Sequence, residues 1–167
     1  KVFNSSSTDC FGKGKNIYNN EKNLFFPISP YGRAKSFSHW LVKFYRENYK
    51  IHSKNGILSN HESPLRPSSF VLKRIINFAK KHQNNKLKLG NIDIFRDWGW
   101  APEFSDAIYK INNKKIPEDY VVGTGKITSL KYIIKKIFKF KKIDKKYLIS
   151  NTPKSLRPAD IKKIGTN

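Results

Sequence analysis

The 167-residue chain contains no methionine, a single cysteine and few acidic residues. Because it does not begin with Met, we expect that a further part of the protein precedes Lys1. The single thiol, Cys10, excludes an internal disulfide and fits a reducing compartment, so we expect a cytoplasmic protein. The chain also lacks an apolar run of about eighteen residues, the length that a transmembrane helix requires. A transmembrane span is therefore not expected.

Glycine is scarce, and the nine glycines form neither G-x-x-G-x-x-G nor G-x-G-x-x-G. Such a turn would be needed to receive a dinucleotide pyrophosphate at a helix N-terminus. Gly12-Lys13-Gly14-Lys15 lies in a polar segment without a third glycine at the required place. Gly123-Thr124-Gly125-Lys126 lacks the glycine that a P-loop has five places earlier, since position 120 is Tyr. Both segments are predicted to be turns.

Acidic residues number 12 against 34 Lys and Arg, which gives a net charge of +22. Such an excess by itself would suggest a nucleic-acid or anionic-membrane partner. However, the excess consists of 28 lysines and only 6 arginines, beside 16 asparagines and 19 isoleucines, as expected from A- and T-rich codons. Arginine, the better residue for bidentate phosphate contacts, is not enriched. We therefore expect neither partner and keep a basic nucleic-acid-binding module as the alternative outside enzymes.

Strands and helices are predicted to alternate, a pattern typical of an α/β fold with a parallel sheet. The predicted strands are 2–7, 51–58, 86–89, 119–122 and 147–150. The predicted helices are 31–49, 69–82, 102–113 and most of the basic stretch 126–146. Segments 13–30 and 60–67 are predicted loops, and Arg96 is placed in a turn. Helical spacing gives the first helix an apolar face of Ala34, Phe37, Leu41, Phe44 and Tyr45, and the last a buried stripe of Leu130, Ile133, Ile134, Ile137 and Phe138.

Tyr31 and Lys35 stand four residues apart, so on a helix both side chains project from one face. A lysine ammonium beside a phenol favours the phenolate and lowers the phenol pKa, which suits a tyrosine that exchanges a hydroxyl proton. Ser7, at the predicted end of the first strand, would supply a second hydrogen bond to the same hydroxyl. The carboxyl ends of strands are where such sheets bind ligands.

The Ser and Tyr-x-x-x-Lys arrangement resembles that of the extended short-chain dehydrogenase/reductase superfamily. Further strings, in the order and nearly the spacing of one family, narrow the resemblance to the GDP-mannose 4,6-dehydratases. They are Ser29-Pro30-Tyr31 with Ala34-Lys35, Asn55-Gly56-Ile57-Leu58, Asn60-His61-Glu62-Ser63-Pro64, Leu89-Gly90-Asn91-Ile92-Asp93, Arg96-Asp97-Trp98-Gly99, Asp119-Tyr120-Val121-Val122 and Arg157-Pro158-Ala159-Asp160.

The resemblance implies an incomplete Rossmann-like parallel sheet with an interleaved, smaller substrate-binding portion. Residues 1–66 would be the C-terminal part of an NADP-binding domain, and 67–167 would mainly bind a GDP-sugar. Family members assemble through the helix that bears Tyr-x-x-x-Lys, so a homo-oligomer, dimer or tetramer, is expected of the intact protein. We do not expect this chain alone to turn over substrate.

The implied activity is that of a hydro-lyase that uses NADP to convert GDP-mannose to GDP-4-keto-6-deoxymannose, the first step toward GDP-fucose and other GDP-deoxyhexoses. The resemblance makes Tyr31 the base at the O4 hydroxyl and places Lys35 on the nicotinamide ribose. Ser7 stands where the family has Thr or Ser. Asp9 takes the place of the family's Glu, the acid/base group for elimination. Another NAD(P)-dependent sugar-nucleotide dehydratase or an epimerase is the alternative among enzymes.

Further site residues are carried over by the same resemblance. His61 and Arg66 match positions that contact NADP, and Glu62 forms no metal site because no His-Glu-x-x-His follows. Gly32, where the family has a small apolar residue, is expected to weaken the first helical turn by about 1 kcal/mol relative to Ala. The positions that match GDP-mannose contacts are Asn60, Arg74, Arg96, Arg157 and Asp160.

Overall fold

The structure is a computed structural model that describes residues 1–81, 85–150 and 160–167. Its helices are α1 (Pro30–Tyr49), α2 (Val71–Lys81), α3 (Ala101–Asn113) and α4 (Leu130–Phe140). Its strands are β1 (Val2–Ser7), β2 (Tyr18–Asn19), β3 (Ser53–Leu58), β4 (Asn60–Glu62), β5 (Leu87–Lys88), β6 (Phe95–Trp100), β7 (Asp119–Val122), β8 (Ile127–Ser129), β9 (Leu148–Ile149) and β10 (Lys163–Thr166). The predicted α/β fold is confirmed.

One sheet is parallel and has the strand order β1-β3-β7. In its register Ser7 lies opposite Leu58, and Leu58 lies opposite Val122, so the three carboxyl ends meet at one edge. The helix α1 crosses between β1 and β3 and packs on both strands. The side chains that follow β1 and β3 are therefore delivered to the same edge of the sheet.

A second sheet has the order β2-β10-β6-β4, with β8 antiparallel to β6. Its short strands β2 and β4 lie in segments predicted to be loops. The predicted turn at Arg96 is wrong, because Arg96 lies inside β6. A strand is compatible with this charged pair because Arg96 and Asp97 are both buried and both have polar partners, Asp160 and Thr124 respectively.

The larger hydrophobic core lies between α2 and α4. Its buried residues are Leu72, Ile75, Ala79, Leu87, Leu89, Ile92, Leu130, Ile134, Phe138 and Ile143. Ile133 and Ile137, the other members of the predicted stripe of α4, pack against this cluster while partly exposed. In the described part of the chain, no helix combines the length and the apolar character needed to cross a membrane.

The predicted apolar face of α1 does not pack on the sheet. Ala34 is exposed, and the exposed fractions of the others are 70% for Phe37, 42% for Leu41, 49% for Phe44 and 42% for Tyr45. The residues of α1 that are buried are small or polar, namely Gly32, Ser36 and His39. The side of α1 that faces the sheet is therefore polar.

A fully buried lysine fixes the end of α3. Lys54, in β3, donates from Nζ to the Ile111 carbonyl at 2.7 Å and to the Asn112 carbonyl at 3.0 Å, and it also reaches the Lys114 carbonyl. The last carbonyls of a helix have no partner within it, and a cation there also complements the helix dipole. Lys54 thus attaches α3 to the parallel sheet.

Two glycines, one before α1 and one in its first turn, allow neighbouring backbone segments to approach closely. Gly12 has φ +54°, and a Cβ there would overlap the Phe26 carbonyl, with which Lys13 makes a 3.1 Å hydrogen bond. A Cβ on Gly32 would stand 2.7 Å from the Asp9 carbonyl oxygen. Gly32, expected from the sequence to weaken the helix, is therefore what lets the first turn of α1 approach Asp9.

We predict that Gly12→Ala lowers the free energy of unfolding by about 2–4 kcal/mol, the sum of left-handed backbone strain and steric overlap. The matched control is Gly125→Ala, because Gly125 has φ +73° but no atom within 4 Å of an added Cβ. This control should cost only the backbone term, about 1 kcal/mol. Urea denaturation of both variants measures the difference, and equal losses would contradict the prediction.

Candidate active site

A turn at the end of β1 presents Ser7 and Asp9. A 3₁₀ turn, Thr8–Cys10, follows Ser7 directly, and the Ser7 Oγ accepts a hydrogen bond from the Asp9 amide at 3.2 Å. Serine is favoured at such a position because its oxygen satisfies a backbone N–H that the turn leaves free. Thr8 and Cys10 point inward and are buried, while Ser7 and Asp9 remain partly accessible.

The first turn of α1 brings Tyr31 to this turn. Ser29 caps the helix by accepting from the Gly32 amide at 2.9 Å, and Pro30 occupies the first helical position, where its missing N–H costs nothing. Tyr31 is 54% exposed, and its phenol lies beside the Ser7 side chain. The sequence-predicted residues Ser7, Asp9 and Tyr31 therefore lie together.

Lys35 lies beside this cluster but is directed elsewhere. Its Nζ is 5.8 Å from the centre of the Tyr31 ring and donates to the Ser5 carbonyl at 2.8 Å. The predicted lowering of the Tyr31 pKa by Lys35 does not occur in this structure. Instead, burial raises the pKa of Tyr31; the Ser7 hydrogen bond opposes this, and the nearby Asp9 charge adds to it. The phenol is thus a hydrogen-bond donor at neutral pH.

His61 and Arg66 follow β3 and are held by aromatic rings. The His61 Nδ1 is 2.9 Å from the Ser59 carbonyl, to which it must donate, and the imidazole stacks on Phe104 with 4.9 Å between ring centres. The Arg66 guanidinium lies 3.6 Å above the centre of the Phe70 ring. Stacking of this kind fixes the orientation of the His61 imidazole and of the Arg66 guanidinium.

Arg66 lies near two ionisable groups, the Glu62 carboxyl and the Tyr31 phenol. Its Nε is 3.5 Å from Glu62 Oε2, yet this buried nitrogen makes no hydrogen bond with any described residue. Burial raises the pKa of Glu62, and the Arg66 charge opposes that rise. The same charge opposes the rise that burial causes in the pKa of Tyr31. Arg66 is therefore part of the electrostatic surroundings of Tyr31.

The residues predicted to bind a nucleotide-sugar, where the structure describes them, lie on or near the second sheet and on α2. Arg96 is 6% exposed and donates to Asp160 Oδ1 at 2.8 Å, so two predicted members contact each other. Arg74 donates to the Lys88 carbonyl at 2.8 Å from the exposed side of α2. Asn60 lies in β4 opposite Trp98. Arg157 lies outside the described residues.

The sequence model of a family described as GDP-mannose 4,6 dehydratase matches residues 1–164, which include every candidate residue named above. The chain belongs to this family.

Three relatives illustrate the match to GDP-mannose 4,6-dehydratases. The protein from Sinorhizobium fredii (strain HH103) is 40% identical over 141 residues, which are 83% of this chain and 40% of that protein. The human protein is 38% identical over 141 residues, 83% of this chain and 38% of that protein. Protein 1 of Arabidopsis thaliana is 33% identical over 164 residues, 96% of this chain and 45% of that protein. The chain thus spans less than half the length of these relatives.

Solved structures show the same fold at low sequence identity. A dTDP-glucose 4,6-dehydratase from Bacillus anthracis, in complex with NAD, superposes with a TM-score of 0.89 at 20% identity and covers 100% of this chain and 52% of that one. RMD from Pseudomonas aeruginosa, complexed with NADPH, gives a TM-score of 0.81 at 18% identity and covers 99% of this chain and 56% of that one. At these identities the likeness establishes the Rossmann-like fold alone.

The sequence analysis missed a partly buried carboxylate on which the placement of α1 depends. Asp119, the first residue of β7, is 3.3 Å from His39 Nε2 and accepts hydrogen bonds from Arg46 and Asn55, both at 2.8 Å. These donors belong to α1 and β3. The signal that could have revealed them is the helical spacing of small and polar residues along α1, at Gly32, Ser36, His39 and Arg46.

The donors keep Asp119 ionised. Burial alone would raise the pKa of Asp119, but the hydrogen bonds from His39, Arg46 and Asn55 outweigh it and hold the pKa far below its usual range. Because the folded pKa is the lower one, the stabilising contribution is complete above the unfolded value of about 4 and is lost as the pH falls. Asp119 therefore makes the fold sensitive to acid.

We predict that Asp119→Asn lowers the free energy of unfolding at pH 7 by about 3 kcal/mol, because it leaves buried donors without a charged acceptor. The variant should also lose less stability than the wild type between pH 5 and pH 3, which thermal unfolding across this range measures. Asp106→Asn is the control, since the Asp106 side chain is 57% exposed and should contribute less than about 0.5 kcal/mol. Parallel acid profiles for the wild type and Asp119→Asn would contradict the assignment.

Proposed function

We propose that this chain carries the catalytic and substrate-binding residues of a GDP-mannose 4,6-dehydratase that uses NADP to form GDP-4-keto-6-deoxymannose. The observation that carries the proposal is the placement of the Ser7 side chain beside the Tyr31 phenol, with Asp9 on the same turn as Ser7. Ser and Tyr suffice to handle a sugar hydroxyl, and the carboxylate adds the group needed to remove a carbon-bound proton. Membership of the family supports GDP-mannose as the sugar nucleotide.

The residues around Tyr31 fit a nicotinamide dinucleotide. Arg66 offers a buried Nε–H that no described residue accepts, and its planar guanidinium suits a phosphate oxygen. Lys35 and His61 complete the set that would hold the dinucleotide, which when bound supplies the hydride acceptor and then the hydride donor. We choose NADP because the family resemblance implies it; NAD and NADPH both occur among the structures of similar fold.

Tyr31 and Ser7 would handle the proton of the sugar O4 hydroxyl. Ser7 holds the phenol, and Tyr31 takes up the O4 proton as the C4 carbonyl forms. That carbonyl stays in the product, so the proton taken from O4 balances the one that C5 later receives. Burial opposes the phenolate, whereas the positive charge of Arg66 favours it. The reaction therefore depends on the closeness of Arg66 to Tyr31.

Asp9 would carry out the elimination. Its carboxylate removes the C5 proton next to the C4 carbonyl, and the C6 hydroxyl leaves as water when it receives that proton. A new proton reaches C5 as hydride is added to C6. Asp9 is partly accessible on the turn that holds Ser7, which is the placement this role needs. An epimerase has no use for a carboxylate at this position.

We also propose that the exposed apolar face of α1 is a contact between copies of the intact protein. Phe37, Phe44 and Tyr49 are 70%, 49% and 64% exposed, although they lie on the helix that carries Tyr31 and Lys35. A contiguous apolar patch of this kind on a soluble surface usually marks an interface. We place the protein in the cytoplasm because its single cysteine is buried and free.

The direct test is a chimera in which the matched 141-residue segment of the human relative is replaced by the corresponding residues of this chain. With GDP-mannose and NADP, the chimera should form a product whose new C6 methyl group is visible by proton NMR. Inversion at C4 without deoxygenation would identify an epimerase and overturn the proposal. The chain alone, assayed in parallel, tests the expectation that it does not turn over substrate.

In the chimera, we predict that Tyr31→Phe and Asp9→Asn each lower the rate of product formation by about 100-fold or more, the usual effect of losing a general acid or base. Asp9→Asn should retain oxidation at C4, seen as absorbance at 340 nm, while losing the methyl product. Tyr109→Phe is the control for Tyr31→Phe, because Tyr109 is 70% exposed on α3. Unchanged deoxygenation in Asp9→Asn would remove Asp9 from the mechanism.

A further inference from the structure

A buried chain of polar side chains runs behind the turn that carries Ser7 and Asp9. The His39 Nδ1 is 3.3 Å from the Ser6 Oγ, and the Ser6 Oγ is 3.6 Å from the Cys10 Sγ. On its other side the His39 Nε2 faces Asp119 at 3.3 Å. Ser6, Cys10 and His39 are at most 4% exposed. Water is therefore excluded from these contacts.

The direction of each hydrogen bond follows from Asp119. An ionised carboxylate only accepts, so His39 Nε2–H donates to it. When Nε2 carries the only ring proton, Nδ1 is an acceptor, and the Ser6 hydroxyl donates to it. Since Ser6 has used its single proton, the Cys10 thiol donates to the Ser6 oxygen. In this arrangement each of the four side chains, Asp119, His39, Ser6 and Cys10, has one defined role as donor, acceptor or both.

These hydrogen-bonded side chains hold the Ser7–Asp9 turn at both of its ends. Ser6 directly precedes Ser7, and Cys10 directly follows Asp9, so fixing Ser6 and Cys10 fixes the backbone between them. His39 belongs to α1, about two helical turns after Tyr31. The residue that holds the turn thus sits on the helix that presents the phenol.

We propose that His39 is a positioning residue, which holds the Ser7–Asp9 turn through Ser6 and thereby keeps the Ser7 hydroxyl on the Tyr31 phenol. The proposal rests on the proposed function only in treating Tyr31 as the reacting group. His39 itself touches neither Ser7 nor Tyr31 in this role. Its effect is transmitted by Ser6.

Arg46 provides a matched comparison. It donates to the same Asp119 carboxylate at 2.8 Å and is partly buried, with 12% of its side chain exposed. Its other hydrogen bond, at 3.3 Å, goes to the Ser53 carbonyl at the start of β3, the end of the sheet opposite the reacting turn. Removing Arg46 therefore weakens the attachment of α1 without breaking the path to Ser6.

The test is the ionisation of Tyr31, which needs no turnover. Tyrosine labelled with ¹³C at Cζ gives eight signals, and Tyr31→Phe identifies the one from Tyr31. The Cζ shift at pH 7 reports the hydrogen bond to the phenol, and its titration gives the pKa. Ser7→Ala shows the change when the Ser7 hydrogen bond is lost, a rise in the pKa of about one pH unit or less.

His39→Phe keeps the ring, which contacts Phe25 at 4.8 Å, but removes both nitrogens. We expect it to move the Tyr31 signal in the same direction as Ser7→Ala. Ser6→Ala, a small change that should preserve folding, is expected to do the same. Arg46→Leu should lower the unfolding temperature while leaving the Tyr31 signal in place.

The proposal is overturned if the Tyr31 signal and titration stay unchanged in both His39→Phe and Ser6→Ala. It is also overturned if Arg46→Leu shifts them as much, because His39 would then act only through general stability. A shift confined to the His39 and Ser6 variants supports it, even if the chimera forms no methyl product. That combination would reject the proposed function and keep the positioning role.

Discussion

The carboxylate of Asp119 is the constraint on which the described structure depends. A buried carboxylate is stable only when several donors compensate for lost hydration, and here they come from His39, Arg46 and Asn55. Since two of these donors are on α1 and the third is on β3, the helix can occupy only one position over the sheet. The position of Tyr31 follows from that of the helix.

The same constraint explains why α1 has its polar side inward. The sheet side of the helix serves hydrogen bonds, including those of Lys35 to the Ser5 carbonyl and of Ser38 to Asn4 at 3.2 Å. Its apolar residues must then lie on the other side, where Phe37 is exposed. The same orientation of α1 therefore exposes its apolar side and turns its polar side toward the sheet. This orientation links the proposed contact between copies to the proposed active site.

Local patterns predicted most of the elements well, because helical spacing and strand ends are properties of short segments. The spacing of Tyr31 and Lys35 placed them on one face, but it could not show that Lys35 donates to a carbonyl of β1. The sequence predicts a turn at Arg96 because its carboxylate partner, Asp160, is 64 residues away and leaves no local signal. The Asp119 contacts are equally distant in sequence and become visible only in the fold.

The central claim is that the end of β1 and the start of α1 form one site for GDP-mannose. It is tested most directly by following the backbone amide signals of Ser7, Asp9 and Tyr31 by NMR while GDP-mannose is added. The account predicts saturable shifts at all three residues and weaker ones with GDP or UDP-glucose. Shifts that miss these residues, or equal shifts with UDP-glucose, would contradict it.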